Sequence, residues 1–199
     1  MSETNSPNQG FHKMLQLGLI LALYSVAACA GLAFVYSGTA KVIARRQQTD
    51  LETTLGELFP AADSFMPITG VISPNPSVVI EEDSSFAALC DGKIIGAALR
   101  IQGSSYGGAI KILVGVGADN RISAVRVLEH KDTPGLGANA VKPAFYNQFT
   151  GKSSRDPFEP KNDVNVITSA TITTKAVADS VKAAALAASA WFAAGGVSR

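Results

Sequence analysis

Hydrophobic and polar positions divide the chain into stretches of different rhythm. Residues 14–36 are almost wholly apolar, with Gln16 and Ser25 the plainly polar members. A helix over that run is long enough to cross a bilayer core of about 30 Å. Tyr36 falls where an aromatic interfacial anchor would sit. Next, Leu51, Leu55 and Leu58 recur on one side of a predicted helix over residues 39–59, which stops before Pro60. Residues 67–77, with Pro67, Pro74 and Pro76, read as a loop. Two hairpins follow. Residues 86–90 and 93–101 flank the tight-turn pair Asp91-Gly92, and residues 109–116 and 121–129 flank Ala118-Asp119-Asn120. Ile110, Ile112, Val114 and Val116 alternate onto one face, as in a half-buried strand. The period then lengthens to three and four: Val177, Val181, Ala184, Ala188 and Trp191 form one stripe of a final helix, with Lys175, Asp179 and Lys182 on another face. Thr173 or Thr174 is placed to cap this helix, and Gly195-Gly196 to end it. Hairpins followed by a long terminal helix predict an α+β domain behind a single N-terminal transmembrane helix.

Composition narrows the picture. The chain has 199 residues, a formal charge of +1 and 47% hydrophobic residues, which suits one compact domain plus one span. Near-neutral charge gives no reason to expect a nucleic-acid partner. Cys29 lies inside the apolar run, so pairing with Cys90 is not expected. No zinc spacing, phosphate-binding Walker loop, dinucleotide fingerprint or hydrolase elbow is present, and His130 reads as a strand-end residue. Residues 1–10 are polar and predicted to be loose. A charged start before an apolar core also fits a signal sequence, and Val26-Ala-Ala-Cys29 resembles a lipoprotein processing site. Residues 30–36 stay apolar after that cysteine, which favours a retained anchor. Lys13 precedes the span while Lys41, Arg45 and Arg46 follow it, so charge alone would leave the domain in the cytoplasm.

Candidate chemistry gathers at three places. Residues 163–177 are dense in hydroxyls, with Thr168, Ser169, Thr171, Thr173 and Thr174 running into the terminal helix. A helix N-terminus offers unpaired N–H groups and partial positive charge, where a phosphate is favoured. The plainer reading is a Ser/Thr-rich loop that caps a helix. Tyr106-Gly107-Gly108 lies between strands, and Lys131-Asp-Thr133-Pro134-Gly135-Leu136-Gly137 follows one. Either glycine-rich element can be a plain turn, or a backbone that closely approaches a ring or phosphate. Glu129 and Asp132 read as solvated charges at a strand end, and no acid–base pair marks a substrate-transforming site.

The order Tyr-Gly-Gly, hairpin, Asp-Thr-Pro-Gly-Leu-Gly, then Ser169-Ala170-Thr171-Ile-Thr173 resembles the FMN-binding domain found in the G subunit of the Rnf (Rsx) complex. That family is related to the C subunit of the sodium-pumping NADH:quinone reductase. The resemblance covers roughly residues 103–191. It implies that Thr171 carries FMN through a phosphoester. Ser169, Ala170 and Thr173 would supply nearby contacts, the loop Thr133, Pro134, Gly135, Leu136, Gly137 would lie against the flavin, and Tyr106, Gly107 and Gly108 would line the same site. Asp163 stands where the motif's upstream acidic residue would, and Ser169 replaces its usual glycine. The implied organisation is a cytoplasmic tail (1–13), a span (14–36), a membrane-proximal helix and first hairpin (37–102) and the FMN-binding core (103–194). The implied setting is the bacterial inner membrane with the FMN domain in the periplasm. The implied partners are lipid, the other Rnf subunits and a flavin-attaching transferase during maturation. Two functions follow: an electron-relaying flavoprotein in an ion-translocating ferredoxin/NADH complex, or a non-catalytic anchor with a degenerate flavin site.

Overall fold

The computed structural model describes residues 7–196, with side chains described for residues 13–40 and 51–196. Of the segment expected to be loose, residues 1–6 lie outside the described residues, and residues 7–10 are helical. The chain divides into two units, residues 1–51 and residues 52–199. Helix α1 (Pro7–Leu58) supplies the first and opens the second. Its stretch Lys13–Ala40 is long and apolar enough to cross a membrane, and its side chains are exposed. Ser37 and Thr39 do not break the helix, because their hydroxyls donate back to the carbonyls of Phe34 and Val35, both at 2.9 Å.

The second unit is built on one antiparallel sheet. Strands β1 (Ser64–Pro67), β3 (Phe86–Cys90), β4 (Lys93–Ser105), β5 (Gly108–Gly117) and β6 (Ile122–Glu129) lie side by side in that order, and β2 (Val79–Ile80) pairs with β4. The hairpin at Asp91-Gly92 forms as the sequence predicts: φ values of +51° and +73° put both residues in the left-handed region that a two-residue turn requires. Strands β1 and β2 escape sequence reading because neither is long enough to show alternation. Strand β4 also runs beyond residue 101, pairing with β5 out to Ser105 opposite Gly108. Tyr106-Gly107 is therefore a tight hairpin turn, not a free loop.

Both faces of the sheet carry buried residues. On one, Leu99 and Ile101 of β4 and Ile110, Ile112, Val114 and Val116 of β5 meet helix α3 (Thr171–Ala193). Val177, Val181, Ala184 and Ala188 of α3 are fully buried and Trp191 nearly so, as the period predicts. Each large aliphatic side chain so buried contributes about 1.5–3 kcal/mol. Gly103 permits the approach, since a Cβ there would stand 2.5 Å from Ser180 Oγ. On the other face Ala88, Ala98 and Leu113 are buried, and the last turn of α1 brings down Leu55, Leu58 and Phe59. Gly96 and Gly115 make room for them: a Cβ on Gly96 would strike the Phe59 ring, and one on Gly115 would lie 3.1 Å from Leu58 Cδ2. Arg126 pairs with Glu57 at 3.0 Å beside this contact.

Two glycines of this region should respond with opposite signs. Gly96→Ala forces its methyl into Phe59 and to 2.8 Å from the Val116 carbonyl, and should destabilise the domain by about 1–3 kcal/mol. Gly56→Ala, in open helical surroundings, should stabilise it by about 0.5–1 kcal/mol. Urea unfolding of the two variants checks both values; a neutral Gly96→Ala would refute the close approach of Phe59.

Candidate functional site

The β4–β5 turn, the segment after β6 and the first turn of α3 enclose one cavity of about 450 Å³. Tyr106 comes from the turn; Asp132, Thr133, Leu136 and Gly137 come from the segment after β6. Ser169, Ala170, Thr171, Ile172 and Thr173 supply the helix side. The volume falls within the range of about 300–1,000 Å³ typical of small-molecule sites. Tyr106 and Ile172 are largely exposed and Leu136 partly so, leaving an open apolar rim.

Eight of the expected site residues line this cavity: Tyr106, Thr133, Leu136, Gly137, Ser169, Ala170, Thr171 and Thr173. Gly107, Gly108, Pro134 and Gly135 are absent from its lining. Gly107 instead lets the turn touch the chain behind it, because a Cβ there would stand 2.7 Å from Asp132 Cα. Gly108 and Gly135 supply φ of +120° and +80° to their turns.

Asp132 corrects the expectation of a solvated charge. It is 6% exposed, and its Oδ1 accepts from the Ser105 hydroxyl at 2.9 Å and the Gly107 N–H at 2.6 Å. One carboxyl oxygen thereby binds the hairpin turn to the segment after β6. Glu129 is exposed but not unpartnered, for it pairs with Lys111 at 3.2 Å and Arg100 at 3.6 Å. The signal for Asp132 was the pair of glycines around it. Gly107 and Gly137 both stand where a Cβ would collide with residue 132.

The start of α3 also differs from the predicted cap. Ala170 is the N-cap and Thr171 the first helical residue, with no side-chain cap. Thr174 acts from inside the helix: its buried hydroxyl accepts from the Ile167 N–H and donates to the Ala170 carbonyl, both at 3.0 Å. The turn is closed by Ala170 N–H to the Ile167 carbonyl at 3.0 Å. Thr171 is left exposed at the helix terminus, beside backbone N–H groups that favour an anion. Thr173, by contrast, is 1% exposed. Asp163 lies off the cavity lining. Its carboxylate accepts from Lys152 at 2.9 Å, Phe158 N–H at 3.1 Å and Glu159 N–H at 2.6 Å, folding the preceding loop. Burial works against its charge, but the Lys152 ammonium and the two backbone donors prevail and hold its pKa below the ordinary 3.8.

Ser169 carries φ of +60° in the turn before the helix. A side chain there costs about 1–2 kcal/mol, partly offset by the entropy glycine loses on folding. Ser169→Gly should therefore raise stability by about 0.5–1 kcal/mol, read as a higher melting temperature. A lower melting temperature would mean that the hydroxyl has a structural role that outweighs the strain.

Known proteins resemble the chain in both parts. Residues 105–186 match the FMN-binding domain family, and residues 1–58 match the RnfG N-terminal region. The G subunit of the proton-translocating ferredoxin:NAD(+) oxidoreductase complex of Clostridium ljungdahlii is 34% identical, over 77% of this chain and 80% of its own. The G subunit of the ion-translocating oxidoreductase complex of Cereibacter sphaeroides is 32% identical, over 82% and 79%. A crystal structure of the C subunit of the Na(+)-translocating NADH-quinone reductase from Parabacteroides distasonis aligns at 26% identity with a TM-score of 0.44. That alignment covers 54% of this chain and 61% of that one.

Proposed function

The chain belongs to the family of G subunits of ion-translocating oxidoreductase complexes, and we propose on that footing how its cavity serves such a complex. It is a membrane-anchored flavoprotein that relays electrons through FMN between redox partners of a ferredoxin/NADH-linked complex. The observation that carries this reading is the exposed Thr171 hydroxyl at the N-terminus of α3, opening into a cavity of flavin-compatible size.

The residues fit the cofactor. Thr171 Oγ bears the phosphate as an ester, and the first N–H groups of α3 stabilise its remaining charge. Thr173 and Ser169 flank that end. Leu136, Tyr106 and Ile172 supply the apolar wall against which a flat ring packs. Bound there, FMN supplies the capacity to accept and release electrons. A covalent tether removes the need to enclose the ring for affinity, so the open rim leaves an edge free for a neighbouring redox centre. The ester is made by a flavin-attaching transferase in the periplasm, so the domain lies there and the short N-terminal tail in the cytoplasm. The charge distribution around the span opposes that orientation, and the maturation chemistry favours it.

Thr171→Ala should abolish flavin fluorescence of the denatured polypeptide in a gel, whereas Thr173→Ala should retain it. A flavin peptide mapped to Thr173 or Thr174 would refute the assignment. In membranes, Thr171→Ala should stop electron flow through the complex while the subunits still assemble. Undiminished flow would favour the anchor function instead. Protease added to spheroplasts should digest the domain and spare the span and tail; a protected domain, or a mature N-terminus at Cys29, would overturn the topology.

A further inference from the structure

Asp132 has a second carboxyl oxygen for which the fold provides nothing. Oδ1 is occupied by Ser105 and Gly107, but Oδ2 is buried and has no hydrogen-bond partner among the described residues. Asp132 and Gly137 both line the cavity, and Oδ2 lies 2.7 Å from where a Cβ on Gly137 would be. A buried acceptor left unpaired costs about 1–3 kcal/mol, more if charged, so each such group calls for a partner, and one on a residue that lines a cavity can find it in a ligand. Among the described residues, the other buried side-chain atoms with neither a hydrogen bond nor an ion pair, on Asn120, Ser123, His130 and Trp191, belong to residues off this cavity's lining.

We infer that Asp132 Oδ2 is a cofactor-binding acceptor, receiving a hydrogen bond from an N–H or O–H donor of the bound flavin. This rests on the flavoprotein reading above. FMN offers two kinds of donor, the ring N3–H and the ribityl hydroxyls. Its phosphate oxygens are acceptors and would be repelled by a carboxylate. The cavity thus has a polarity: partial positive charge at the start of α3 and an acceptor at Asp132. The phosphate belongs at the first pole and a donor-bearing part of the cofactor at the second. Gly137 is required at the second pole because any side chain there would displace Oδ2.

Asp132→Asn tests this with little disturbance of the fold. The Gly107 N–H sits 2.6 Å from Oδ1, so the amide oxygen must stay in that place. The new NH2 group is then forced into the Oδ2 position, turning an acceptor into a donor. The comparison uses full-length protein purified from membranes that contain the transferase, with loading checked by intact mass. A wild type without flavin sinks the flavoprotein reading and this inference with it. In loaded Asp132→Asn, loss of a ring N3–H bond should shift the flavin resonance Raman bands that respond to D2O. Loss of a ribityl bond should leave those bands unchanged but lower the fluorescence anisotropy of the tethered flavin. Either change supports the inference and tells which donor is used. Unchanged bands and anisotropy overturn it, since an amide serves equally only where the carboxyl itself was donating. Should the transferase leave the variant unloaded, FMN titrated into Thr171→Ala and into Thr171→Ala/Asp132→Asn reads the same contact. The double variant should bind about tenfold to a hundredfold more weakly, and equal affinities would overturn the inference.

Discussion

Helix α3 lies close against strand β4, where Gly103 leaves room for the Ser180 hydroxyl, and this packing positions the start of the helix at the site. With Ser180 pressed against Gly103, the small and branched side chains of α3 interlock with the alternating aliphatics of β4 and β5. A helix held that firmly has little freedom to slide, because packed interiors resist even small displacements. Its N-terminus, and Thr171 with it, is therefore delivered to a fixed point beyond the β4–β5 hairpin.

Asp132 completes the arrangement from the other side. A buried carboxyl group is costly unless bonded, and here it is bonded to two groups of the hairpin turn. The cost and the benefit fall on the same residue. It ties the segment carrying Leu136 and Gly137 to the hairpin turn, and its other oxygen has no hydrogen-bond partner among the described residues. Charge at one end and helix dipole at the other give a small cavity a direction without any metal or acid–base pair among the described residues.

What could be read beforehand was what depends on neighbours in sequence. Asp91-Gly92 specifies its own turn through left-handed backbone preference, and the terminal helix announces itself through its period. The hydroxyl cluster lies along the cavity, and the glycine expected at residue 169 corresponds to a positive φ that serine occupies. What could not be read depends on distant parts of the chain. The expected strand stopped at residue 101, short of Gly103, whose packing partner on the last helix lies far along the chain. Asp132 looked solvated because its partners are 25 and 27 residues away. The helix start was misplaced by a few residues because several adjacent hydroxyls can each cap, and only tertiary packing buries Thr174 and makes it a latch.

That latch changes what kind of target the site presents. One hydroxyl bonded to both Ile167 and Ala170 joins the turn to the first coil of α3, so Ser169 and Thr171 open only if the helix end opens too. The segment is thereby tied to the helix end, unlike a loosely held loop that opens by itself. If FMN is attached at Thr171 as proposed, the enzyme acting there would have to read a folded surface, including the hairpin turn opposite. Attachment would then double as inspection, since a misfolded chain would not offer the shape that receives the cofactor.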